Sequence, residues 1–107
     1  MNLEQEREFL QTGSDLQVCG YLATNIRRIR RQSKKSQDVF ARKVGVPLRT
    51  YKRFEANGKA SLETFVQILR AIERTQYLFM LFPQPVLAPA KLPLDERLRQ
   101  LTPTKFK

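Results

Sequence analysis

The sequence predicts an all-α domain of five helices followed by a proline-rich C-terminal extension, and three observations lead there. Apolar residues recur at three- and four-residue steps from Leu22 to Ile29 and again from Leu62 to Ile72, the mark of helices with one buried face. Between them, Gln37 to Ala56 holds two shorter helical runs that meet at Gly45, where the chain needs a backbone freedom that a side chain would oppose. Pro83, Pro85, Pro89 and Pro93 then stop the helical pattern and favour an extended linker. The expected organisation is an arm over 1–14, a helical domain over 15–82 and an extension over 83–107.

The first thirteen residues place Leu3, Phe9 and Leu10 among several Glu and Gln, so they read as a short helix or as an arm that orders against a partner. Gly13-Ser14-Asp15 is a turn and N-cap for a first helix over Asp15–Gln32. Leu22, Ile26 and Ile29 form its expected buried stripe, extended by Val18 or Cys19. Gly20 weakens the early part, which moves the expected regular start toward Tyr21. Arg27, Arg28, Arg30 and Arg31 surround Ile29 near the end, where cations complement the helix dipole. The second helix, Ser36–Val44, has Ser36 as its cap and Asp38 in its first turn. The third, Pro47–Ala56, opens on a proline suited to a first helical turn. Asn57-Gly58 ends it with a left-handed turn.

The fourth helix, Ser61–Arg74, starts at the Ser61 cap and presents Leu62, Phe65, Ile68, Leu69 and Ile72 to the core. The fifth, over 76–82, contains six consecutive apolar residues, YLFMLF, more than one buried stripe requires. Tyr77, Phe79, Met80 and Phe82 are expected to divide between the core and a two-fold interface, since exposed apolar patches mark interaction surfaces. After the prolines, Leu94, Leu98 and Leu101 fall on one face of a possible short helix over 94–101. Two turns are not stable alone, so such a helix must dock on a subunit or a partner; the alternative is a disordered tail over 83–107.

Composition removes most other classes. Histidine is absent and Cys19 is the single cysteine. Serine–histidine and cysteine–histidine catalysis are excluded, no metal-ligand cluster is available, and no glycine loop cradles a phosphate. The reading is therefore of a non-enzyme with no cofactor and no metal. Cys19 is expected to be an inert core thiol compatible with a reducing cytosol. No apolar run reaches the roughly twenty residues of a membrane span. The N-terminus MNLEQEREFL lacks the features of a secretory signal, so a cytoplasmic location is expected.

The formal net charge of +10 is concentrated. Twelve basic residues lie from Arg27 to Lys59, opposed only by Asp38 and Glu55, while the rest of the chain balances. Within the central stretch, Phe40, Val44, Val46, Tyr51 and Phe54 supply a shared core and Ala41 is small where two helices cross. Arg42, Lys43, Leu48, Arg49, Lys52 and Arg53 lie between those inward positions. A basic helix face beside a tight turn fits the major groove of double-stranded DNA. Arg49 is suited to a paired bond with guanine O6 and N7, and Leu48 to a thymine methyl. Lys52 and Arg53 suit bases or phosphates, with Arg49 and Lys52 assigned to bases. Thr50 suits a phosphate or the bare helix surface, and Arg31, Lys34 and Lys35 suit phosphates. Lys59 lies close enough to meet the DNA backbone.

From about Leu22 to Glu73 the chain resembles the phage-repressor/Cro-type, or XRE, helix-turn-helix family. The resemblance rests on Ser36-Gln37, Phe40-Ala41, Val44-Gly45-Val46, Arg49-Thr50, Arg53-Phe54-Glu55, Asn57-Gly58 and Ser61-Leu62-Glu63-Thr64. It implies a five-helix repressor-type domain, and it implies that Gln37 bonds a backbone phosphate and supports the recognition helix. Pro47 departs from the family pattern, standing where a Ser or Thr cap is usual. The function so implied is a sequence-specific transcriptional regulator, a homodimeric repressor on an inverted repeat. The alternative is the antitoxin of a toxin–antitoxin pair that regulates its own operon, with the apolar fifth helix and the extension facing a toxin. Non-specific nucleic-acid packaging is a weaker alternative, which would not require the helix-turn-helix spacing.

Overall fold

The computed structural model describes residues 1–83. The chain divides into two units, Met1–Gln76 and Tyr77–Lys107. The first contains five α-helices: α1 (Leu3–Thr12), α2 (Asp15–Gln32), α3 (Gln37–Val44), α4 (Leu48–Asn57) and α5 (Leu62–Ala71). A 3₁₀ helix follows over Thr75–Leu81, where a regular fifth helix was expected. The short helix expected at 94–101, with Leu94, Leu98 and Leu101, lies outside the described residues.

Polar side chains set most of the helix starts. The Asn2 side chain accepts from the Gln5 N–H, and the Gln5 side chain returns the bond to the Asn2 N–H, so the first residues form a helix. Ser14 and Gln17 repeat that reciprocal arrangement at α2. This cap starts α2 at Asp15 and carries it through Gly20, so the weakening expected there does not shorten the helix. Ser36 and Ser61 cap α3 and α5 with one backbone bond each, their hydroxyls accepting from the Val39 and Thr64 N–H groups. Pro47 is itself the N-cap residue of α4, one position before the helical turn predicted for it, and no side-chain hydrogen bond caps that end.

Two left-handed glycines end α3 and α4. Gly45 has φ 92°, and the carbonyl of Ala41 accepts from both Gly45 and Val46, which closes α3 and sets the turn into α4. Gly58 has φ 76° and a second constraint: a Cβ there would lie 2.6 Å from the Cys19 carbonyl oxygen. The end of α4 therefore rests directly on the backbone of α2. Cys19 is half-buried at this junction, not in the core as expected.

The core consists of Ala23, Ile26, Phe40, Ala41, Val44, Tyr51, Phe54 and Ile68. Phe40 and Tyr51 pack with ring centroids 5.1 Å apart, and Phe54 links Tyr51 to Phe65. Each fully buried large side chain contributes about 1.5–3 kcal/mol in transfer free energy. Val46 only borders this cluster. The buried line of α2 is Ala23, Ile26 and Arg30, not Leu22, Ile26 and Ile29, which turns the helix by about one position from the expected register. Ala23 is buried in the core, and Arg30 finds a partner on α4. Leu62 stands 78% exposed because it precedes the true α5 stripe, and α5 stops at Ala71 with Glu73 at a left-handed φ of 59°. The helix expected to reach Arg74 is therefore three residues shorter.

The N-terminal segment is a helix attached to this domain. The Tyr21 hydroxyl donates to Glu6 at 2.7 Å, and the Phe9 and Tyr21 rings lie 6.1 Å apart. The bond to Glu6 and partial burial raise the Tyr21 phenol above its ordinary pKa.

Candidate nucleic-acid interface

The faces of α4 are divided by burial. Tyr51 and Phe54 point into the core, while Arg49, Lys52 and Arg53 are exposed. None of those three cations forms an ion pair among the described residues. Leu48 sits at the boundary, half-buried against the core cluster, so only part of its side chain remains for an outside contact. Thr50 is also half-buried, and Pro47 is exposed at the helix entrance.

Behind this face lies a buried network that the sequence reading did not anticipate. Arg30 is only 8% exposed. Its Nε donates to Glu55 Oε2 at 2.6 Å and its Nη2 to Glu55 Oε1 at 3.1 Å, a paired fork between α2 and α4. Its Nη1 donates to the Lys35 carbonyl at 2.7 Å. Gln37 donates from Nε2 to Glu55 Oε1 at 2.8 Å, and the Tyr51 hydroxyl donates to Oε2. Burial pushes the Glu55 carboxyl up, but the hydrogen bonds from Arg30, Tyr51 and Gln37 together hold it below its ordinary pKa. Burial, then the bond to Glu55, raises the Tyr51 phenol. The bond to Glu55 likewise raises Arg30, so the pair stays ionised.

This network fixes three parts of the surface at once. Through Glu55 it sets the position of α4 on α2. Through Gln37 it attaches the start of α3. Through the Lys35 carbonyl it holds the loop in which Lys34 takes a left-handed φ of 57°. Arg31 and Lys34 are exposed on that side and Lys35 is half-buried. Gln37 is half-buried with its amide engaged by Glu55, where the resemblance implied a phosphate contact. Lys59 is exposed past the other end of α4, its N–H bonded to Asn57 Oδ1.

In the sequence Arg30 stands in one run with Arg27, Arg28 and Arg31, which gives no sign that it alone is buried. The signal that separates it is register: Ala23, Ile26 and Arg30 follow at steps of three and four, and Glu55 is the single carboxylate of α4. Arg42 of α3 also has a partner, Asp38 at 2.7 Å, but that pair is exposed on both sides.

Among the described residues no group of His, Cys, Asp and Glu could hold a metal ion. No described helix is long and apolar enough to cross a membrane. Residues 26–75 match the family model described as a helix-turn-helix, a span from the middle of α2 to the start of the 3₁₀ helix. The chain matches no curated protein and no solved structure.

Proposed function

From the XRE-type helix-turn-helix family to which residues 26–75 belong, we propose that this DNA-binding transcription regulator acts as a sequence-specific repressor. It occupies a short inverted repeat as a homodimer, with half-sites about one helical turn apart. Repression then requires occupancy of a promoter and no chemistry. The observation that carries this reading is the outer face of α4. Among the described residues Arg49, Lys52 and Arg53 form no ion pair, on a helix whose inner face is fixed by Tyr51, Phe54 and Glu55. Unpaired donors on a rigid support can read a base edge without first giving up an internal bond.

Selection from a random duplex pool tests it. The expected product is a palindromic site whose preference over random duplex is lost in Arg49→Ala. If the enriched pool carries no common sequence, or Arg49→Ala binds both duplexes equally less well, sequence reading by this face is wrong.

Dimerisation is supported by a separate observation. Tyr77, Phe79, Met80 and Phe82 are 51%, 70%, 64% and 72% exposed, an apolar group of the kind that marks an interaction surface. The expected division of these four between core and interface is not what their exposure describes, since all are open. A Phe79→Glu, Met80→Glu variant should sediment as a monomer; unchanged self-association would place the interface elsewhere. The same exposed group supports the second reading, an antitoxin that holds a toxin partner through this segment and residues 83–107. A stoichiometric second protein purified with the chain from its source cells favours that reading.

A further inference from the structure

Asn57 is the one asparagine of the chain followed by a glycine; Asn2 and Asn25 precede Leu3 and Ile26. Glycine has no side chain to shield its backbone nitrogen, so that nitrogen can attack the side-chain amide of the residue before it. The electrophile for this reaction is prepared at the C-terminal end of α4. Asn57 is exposed, and its Oδ1 accepts from the Lys59 N–H at 3.1 Å. That turn wraps the Asn57 side chain around the Gly58 nitrogen and draws electron density from Cγ. Arg53 and Lys59 border the same groove and favour negative charge as it develops there.

The nucleophile, by contrast, is withheld. The Gly58 N–H donates to the Phe54 carbonyl at 2.7 Å and closes the last turn of α4. Gly58 is also held from its other side, against the backbone of Cys19, where a Cβ would not fit. Its nitrogen reaches Asn57 Cγ only when the bond to Phe54 breaks and the end of α4 lifts from α2.

We propose that Asn57 is a deamidation site kept closed by the α2–α4 junction. When the junction opens, the Gly58 nitrogen bonds to Asn57 Cγ, and the side-chain nitrogen leaves as ammonia with the Gly58 proton. A cyclic imide remains, and water opens it at either carbonyl to give aspartate or isoaspartate. No oxidant and no reactant besides water is consumed. Both products place a carboxylate beside Arg53 and Lys59, at the helix end where the dipole is already negative. Isoaspartate also lengthens the backbone by one carbon, which displaces Gly58 from Cys19. Refolding does not reverse the change, so an opening of the junction becomes a lasting loss of positive field around α4. The covalent step stands by itself; its effect on duplex binding rests on the DNA-binding reading above.

The test incubates the full chain at neutral pH, in buffer and in denaturing urea, and maps its peptides by mass spectrometry. In urea Asn57 should convert well ahead of Asn2 and Asn25, with isoaspartate among the products. In buffer the conversion should be slower by about tenfold or more, the factor by which an opening of about 1.4 kcal/mol reduces the open population. Glu55→Gln, which weakens the bond between α4 and α2, should convert faster than the parent in buffer and at the same rate in urea. If that variant does not fold, its rate in buffer rises to the rate in urea, which supports the same closure. Equal parent rates in buffer and urea overturn the proposal, as does the absence of isoaspartate in urea or a folded Glu55→Gln that converts no faster than the parent.

The consequence for binding is read with Asn57→Asp, which stands for one of the two products. Its affinity should fall for the selected site and for a scrambled duplex alike, because the added charge repels both. Parent-like affinity overturns that consequence. A parent chain that prefers no duplex would defeat the repressor reading by itself, while the peptide map still decides the site.

Discussion

Arginines stand on both sides of the α4 backbone, and they do opposite things. On the inner side Arg30 is buried and bonded to a carboxylate and a carbonyl, so its charge is spent within the protein. On the outer side Arg49 and Arg53 are exposed and have no protein acceptor among the described residues. The residue type is the same; the difference is the presence of Glu55 on one face only. A buried guanidinium without that carboxylate would be strongly unfavourable, whereas the outer ones remain hydrated until a ligand replaces the water. Internal pairing converts charge into a fixed geometry, and external exposure leaves it available for binding.

The most severe way to break this contrast is to remove the inner partner. Glu55→Ala leaves Arg30 buried and unpaired and should lower stability by about 3–5 kcal/mol, measured by urea denaturation. A loss under about 1 kcal/mol would show that water reaches Arg30 freely and that the inner face is not distinct.

Acid should break the same pair reversibly. Glu55 has a folded-state pKa below its ordinary value, so the stability it contributes is present above the usual carboxylate pKa of about 4.3 and lost as pH falls through its folded-state value. Denaturation midpoints should therefore decline below about pH 4, more steeply in the parent than in Glu55→Gln. Identical acid limbs would mean that another carboxylate governs the transition.

On the outer side, Arg49→Ala should cost about 1–3 kcal/mol of affinity at the selected site, with little change in the urea midpoint. A large fall in stability would place Arg49 with the structural arginines after all. The smallest effect is expected at Arg42, whose ion pair with Asp38 is 74% and 51% exposed. Arg42→Ala should change stability by only about 0.3–0.5 kcal/mol. A larger effect would show that pairing, not burial, separates the two classes.

Much of the architecture was legible because local signals and hydrophobic period agreed. Ser14, Ser36 and Ser61 start helices where their side chains can cap them, and Gly45 and Gly58 end helices where a left-handed residue is needed. The outward set on α4 was legible as well, since Tyr51 and Phe54 define its inner side. The segment after Arg74 was harder: the first five of its six apolar residues, Tyr77 to Leu81, lie in a 3₁₀ helix, and an unbroken apolar run has no period from which to read a face.

By itself the sequence determined the helix order, the caps, the turns and the concentration of positive charge, all of which depend on residues close together in the chain. Only the tertiary structure decided which arginine is buried. Arg30 and Glu55 are twenty-five residues apart, and their bond forms because α2 and α4 cross with Gly58 close against the Cys19 backbone. The rotation of one helix about its axis decides whether a cation faces a carboxylate or water. A run of four arginines within five residues cannot specify that angle; the packing of a distant helix does.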